Sequence, residues 1–187
     1  MYRSNGKLYK AQGIILSRKN IGEADRVVTV FTKEYGKLRL IAKGIRRVTS
    51  RRAPYLEVFT QCTLMVHKGS SMDSITEAQP IEAFERVRLD LARVSIAYLY
   101  CELISVLLAE KQEHVDIYDL LVQALTELNT HDAATRQAES REFTLELLWR
   151  LGFLPRSKRL TGAKLQDFVE SIAERHLRTP KMVRQLL

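Results

Sequence analysis

R-V-V-T-V-F-T (Arg26–Thr32), then Tyr35-Gly36, then K-L-R-L-I-A-K (Lys37–Lys43) is the stretch on which the fold turns. The first run is dense in β-branched residues, which pack well on a pleated surface. In the second, Leu38, Leu40 and Ala42 alternate with Lys37, Arg39 and Lys43, and at period two they take opposite faces of a strand. The pair predicts a hairpin with an apolar inner face and a basic outer one. Upstream, A-Q-G-I-I-L-S (Ala11–Ser17) predicts another short strand, bounded by Arg18, Lys19, Asn20 and Gly22. Downstream, G-I-R-R-V-T-S-R-R-A-P (Gly44–Pro54) predicts a basic loop, Leu56–His67 a fourth strand, residues 68–71 a turn, and Met72–Ala78 a fifth strand. Five short strands separated by turns predict a small barrel or sandwich, and a five-stranded barrel of this size suits the OB type.

From Ile81 onward the period changes. Phe84, Val87, Leu91, Val94, Tyr98, Cys101 and Leu108 recur at helical spacing, with Ile96, Leu99, Leu103, Val106 and Leu107 on the opposite side, so one long helix apolar on both sides is expected. A second helix is expected from about Asp116, a connector at Asn129–Asp132, and a third helix from about Ala134 to Leu151, stopped by Gly152 with Pro155 beyond. Further helices are expected at about 163–176 and 181–187. The reading is α+β, with an OB-fold nucleic-acid-binding domain over residues 1–80 and an all-helical domain over 81–187.

The 187 residues carry 30 Lys+Arg against 22 Asp+Glu, a net charge of +8. Splitting the chain changes what that figure means. Residues 1–80 hold 15 basic and 6 acidic side chains, residues 81–154 hold 7 and 13, and residues 155–187 hold 8 and 3. A basic barrel, an acidic helical segment and a basic tail are surfaces for different partners, and a polyanion suits the first. No run approaches the ~20 consecutive apolar residues of a membrane span. The polar, basic stretch Met1–Lys10 has no apolar core of a secretion signal, so a cytoplasmic protein is expected. Two widely spaced cysteines, Cys62 and Cys101, offer neither a disulfide framework nor a four-ligand metal site.

The candidate site is the basic set Lys37, Arg39, Lys43, Arg46, Arg47, Arg51 and Arg52, flanked by Arg18 and Lys19. Such side chains neutralise phosphates and release counterions, which gives salt-dependent, sequence-tolerant affinity. Four arginines in one short loop also repel one another unless an anion offsets them. Tyr9, Tyr35, Tyr55 and Phe59 are candidate stacking faces for unpaired bases. Glu23 and Asp25 form a close carboxylate pair that reads as a polar turn in which Asp25 bonds backbone, not as an acid/base couple. His67, His114, His131 and His176 are scattered, with no partner at ligand spacing. No phosphate loop, nucleophile elbow or cysteine–histidine pair occurs, so no enzyme, cofactor or metal is expected.

One stretch carries a resemblance. G-I-I-L-S-R-K-N-I-G-E-A-D-R-V-V-T-V-F-T-K-E-Y-G-K-L-R-L-I-A-K-G-I-R-R, Gly13 to Arg47, resembles the start of the RecO family of bacterial DNA repair proteins. That pattern runs G-I-V-L, then G-E-x-D-x-[IV]-V-x-x-x-[ST]-x-x-x-G-K, then A-x-G-[AV]-R-[RK]. Ser50 also fits the family's usual serine, and Gly152-Phe153-Leu154-Pro155 resembles its G-[YF]-x-P. The resemblance implies an N-terminal OB-fold, a C-terminal helical domain and no catalytic site. It implies a recombination mediator that binds single- and double-stranded DNA and anneals strands. With RecR as partner, such a protein helps RecA displace single-strand-binding protein at gaps, contacting that protein's C-terminal tail.

The sequence departs from the pattern after Pro155. Many members carry C-x-x-C pairs of a zinc module there, whereas this chain continues R-S-K-R-L-T-G-A-K without cysteine. The segment reads as a short form, zinc is not carried over, and the basic loop Arg156–Lys164 is expected to offer a second surface for DNA or an acidic tail. The rival readings are an RNA-binding or ribosome-associated OB protein, and a structural adaptor whose charge is incidental.

Overall fold

The computed structural model describes residues 7–131, 136–174, 176–177 and 179; the expected helix at 181–187 lies outside them. The described chain forms two compact units. One comprises the chain through Ala83 together with Ala109–Val115, and the other Phe84–Leu108 and the chain from Asp116.

The first unit is a closed five-stranded barrel, β1 (Leu8–Ile21), β2 (Asp25–Thr32), β3 (Gly36–Ala42), β4 (Gln61–His67) and β5 (Ser74–Glu82), in the order β1-β2-β3-β5-β4. β1 pairs antiparallel with both β2 and β4, and β3 meets β5 in parallel at Ile41 and Ser74. This closure is the OB arrangement expected from the strand count. The core is the inward set Ile15, Val28, Val30, Leu38, Leu40, Ala42, Leu64, Val66 and Ile75, joined by Ile45 and Leu56 from the loop after β3.

Several boundaries move for physical reasons. β1 runs on through Arg18, Lys19 and Asn20, which pair with β2 residues Val28, Val27 and Arg26; their polarity disguises a strand whose far half is exposed. The expected fourth strand does not begin at Leu56, because Ala53–Leu56 is a 3-10 turn and Phe59 has φ 75°. The β2–β3 turn is held by the buried Thr32 hydroxyl, which accepts the Tyr35 amide at 3.1 Å and donates to the Gly36 carbonyl at 2.7 Å.

The second unit is helical: α1 (Glu85–Arg88), α2 (Leu91–Leu107), α3 (Val115–Thr130), α4 (Arg136–Arg150) and α5 (Gly162–Ala173). The single long helix expected from Phe84 to Leu108 is interrupted. Phe84 takes φ 49°, and Asp90 is extended, its carboxylate accepting the amides of Ala92 and Arg93 as the N-cap of α2. Arg93, only 4% exposed, donates its guanidinium to the Leu128 and His131 carbonyls at the end of α3. Carbonyls in the last turn of a helix lack donors from within it, and here a buried arginine caps that of Leu128.

Candidate nucleic-acid interface

The candidate basic residues lie on the outer face of β1–β2–β3 and on the loop that follows. The register aligns Ser17 with Thr29 and Thr29 with Arg39, and aligns Lys19 with Val27 and Val27 with Ile41. Paired residues share a face, so Lys19 and Arg39 project from the same side, and both are exposed. Lys43, at the end of β3, is exposed as well.

The loop from Gly44 is a chain of turns braced at its base. The Asp25 carboxylate accepts the Gly44 amide at 2.7 Å, so this acidic residue bonds backbone, as its place in a polar turn suggests. Gly44 has φ 65°, a conformation that glycine adopts without strain. The Arg46 amide donates to the Ala24 carbonyl, and its guanidinium donates to the Gly22 carbonyl at 3.1 Å, which fastens the loop to the β1–β2 turn. Two successive turns follow, closed by the Arg47 amide on Gly44 and the Ser50 amide on Arg47.

The nine basic candidates separate into distinct roles. Arg52 is not an open phosphate ligand: its guanidinium donates to the Ile75, Thr76 and Lys43 carbonyls, lacing the loop to β5. Carbonyl dipoles offset its charge, which relieves part of the repulsion expected among the loop arginines. Arg18 pairs with Glu57, a carboxylate that also takes Arg26 at 3.1 Å. Lys37 has the outward register its alternation implies, yet it is only 8% exposed. Residues 109–115 run along β3 at this point, with Lys37 bridged to Glu110 and its carbonyl accepting the Lys111 amide at 3.0 Å. Gly36 has φ 64°, and a Cβ there would lie 1.9 Å from the Gln112 carbonyl oxygen. Lys19, Arg39, Lys43, Arg46, Arg47 and Arg51 therefore remain as the exposed cationic set.

The aromatic candidates sort in the same way. Phe59 is buried and Tyr55 packs against the barrel core. Tyr9 donates its hydroxyl to Asp73 at 2.7 Å and meets the Tyr35 ring edge-on at 4.9 Å, with the Lys68 ammonium 5.9 Å from its centroid. Burial, then the Asp73 bond and charge, raises the Tyr9 pKa well above the usual phenol range. Tyr35, 40% exposed, is the one of the four that presents its ring.

In the helical unit the basic loop after Pro155 is not an open cation cluster. Arg156 bonds Glu146, Arg159 forks onto Glu142 at 3.2 and 3.3 Å, and both guanidiniums lie within 6 Å of the Trp149 ring centre. The Arg150 hydrogen bond, with Arg156 beside it, holds the Glu146 carboxyl below its usual range. The loop's arginines are thus already matched by α4 carboxylates. Among the described residues no three His, Cys, Asp or Glu side chains gather as metal ligands, and no helix is long and apolar enough to cross a membrane.

Comparison with known proteins covers nearly the whole chain. Residues 7–84 match the family model for the recombination protein O N terminus, and residues 88–176 match that for its C terminus. The chain belongs to the RecO family. It is 36% identical over 149 residues to DNA repair protein RecO of Roseiflexus sp. (strain RS-1), covering 80% of this chain and 52% of that protein. It is 35% identical over 150 residues to the RecO protein of Symbiobacterium thermophilum, covering 79% and 58%. It is 34% identical over 151 residues to that of Bifidobacterium longum subsp. infantis, covering 80% and 63%. The chain thus spans between half and two thirds of the length of these RecO relatives.

Proposed function

We propose that this chain acts in DNA repair and recombination as a mediator that binds single- and double-stranded DNA on its barrel and promotes annealing. The observation that carries the reading is the exposed set Lys19, Arg39, Lys43, Arg46, Arg47 and Arg51 on a closed OB barrel whose loop is braced from both sides. OB barrels present the face of strands 2 and 3 to nucleic acid, the face that here carries Arg39 with the basic loop following it, and phosphate neutralisation there needs no base-specific contact. Membership of the RecO family supports RecR, the single-strand-binding protein tail and, indirectly, RecA as partners. The place of action is the cytoplasm, at the nucleoid when DNA is bound. The mediator works by binding, without catalysing a covalent step.

Titrating labelled single-stranded DNA at two salt concentrations tests the reading, with RNA of the same length alongside. Tight binding that weakens with salt, together with annealing of complementary strands, is the expected result. A preference for RNA would turn the assignment to an RNA-binding OB protein, and no binding to either would leave a structural adaptor.

A further inference from the structure

We propose that Val48 is a wedge that enters the base stack when the barrel loop holds DNA, an inference that rests on the DNA-binding reading above. Val48 is 105% exposed, so its side chain projects wholly beyond the surface. It occupies the first central position of the turn that the Ser50 amide closes on the Arg47 carbonyl at 2.9 Å. Turn corners favour Gly, Pro, Asn, Asp and Ser, each for a backbone or hydrogen-bonding reason that a β-branched apolar residue lacks. A bare valine there gains nothing from turn chemistry and nothing from burial.

The loop is also anchored at both of its ends. Asp25 grips Gly44, the Ala24 carbonyl accepts the Arg46 amide, and Arg52 laces the far side to Lys43, Ile75 and Thr76. Arg47 and Arg51, on either side of Val48 in sequence, are exposed and make no side-chain hydrogen bond or ion pair among the described residues. With both guanidiniums on backbone phosphates, Val48, which lies between them in sequence, would face the bases. Apolar side chains so placed partly unstack a step in proteins that deform the duplex. The occupant is therefore a stacked base step flanked by two phosphates. A membrane surface fits less well, since one short aliphatic side chain among arginines has little apolar area to bury in lipid.

The test is the fluorescence of a duplex carrying 2-aminopurine, which brightens when unstacked, read at saturating protein with occupancy followed by anisotropy. The wild-type protein should brighten the probe, Val48→Leu should do so too, and Val48→Ser should leave it at the level of free duplex while still occupying the DNA. Both changes lie at a fully exposed side chain, so the barrel core is untouched. Equal brightening by Val48→Ser would overturn the proposal. Occupancy by the wild type without brightening would overturn the wedge and leave the DNA-binding reading standing. Absence of occupancy would overturn both, as would binding confined to vesicles of anionic lipid.

Discussion

The Asp25 carboxylate reaches across 19 residues of sequence to accept the Gly44 amide at 2.7 Å, and that bond sets where the basic loop starts. Asp25→Ala removes the acceptor and leaves the loop fastened at this end only through Ala24 and Gly22. A hydrogen bond to a charged group contributes about 1.5–3 kcal/mol, and a half-exposed one falls at the low end. The expected result is a modest drop in urea midpoint and weaker single-stranded DNA binding, because the arginines must then be ordered on contact.

Arg47 and Arg51 separate from Arg52 in experiment. Replacing either of the first two by Ala should lower the slope of log K against log salt by about 0.7 for single-stranded DNA, the mark of one lost phosphate contact. Thermal stability should stay within about 0.5 kcal/mol, as for exposed side chains elsewhere. Arg52→Ala should do the reverse: it strips the donors of the Ile75, Thr76 and Lys43 carbonyls and destabilises the barrel by about 1–3 kcal/mol. Paired salt titrations and urea melts check both.

Gly36→Ala places a methyl where the Gln112 carbonyl lies, at a backbone angle unfavourable to any side chain. Left-handed strain alone costs about 1–2 kcal/mol, and the overlap adds to it. The Lys111 amide, bonded to the Lys37 carbonyl at 3.0 Å, should exchange its hydrogen markedly faster in the variant. Unchanged protection would show that residues 109–115 do not depend on the close approach at Gly36.

Burial pushes the thiols of Cys62 and Cys101 up from their ordinary value of 9.0 to about 12. Between pH 9 and 12 the unfolded chain releases these protons while the folded chain keeps them, so stability is intact below pH 9 and falls as pH rises. Each thiol contributes a slope of about 1.4 kcal/mol per pH unit across that window. The alkaline melting curve should be steep, and Cys101→Ala, read against its own neutral-pH stability, should flatten it.

Much of this architecture is legible in the residues, and what is not has identifiable causes. The β-branched run at Arg26–Thr32 and the alternation at Leu38, Leu40 and Ala42 specify their strands because one face is apolar in each. The second half of β1 is hidden because Arg18, Lys19 and Asn20 show no alternation once that strand passes into solvent. The break before α2 has a local sign in Asp90, a good N-cap, masked by apolar residues on both sides. Two features have no local sign at all. Arg52 and Arg47 are indistinguishable in the sequence, and only the carbonyls of distant β5 make one a strut and leave the other open. Arg93 looks like an ordinary surface arginine until α3 ends beside it. Periodicity reports which face is buried; it does not report which polar group a distant backbone will meet.

The return of residues 109–115 to β3 has a consequence for how this protein is made and cut. The chain passes from the first unit to the second, back, and out again, so no single excision yields either unit whole. A barrel fragment ending near residue 84, where the N-terminal family match stops, would carry a bare β3 edge at Lys37. On the ribosome, likewise, the strands emerge first and wait for the 32 residues from Phe84 through Val115 before that edge is covered.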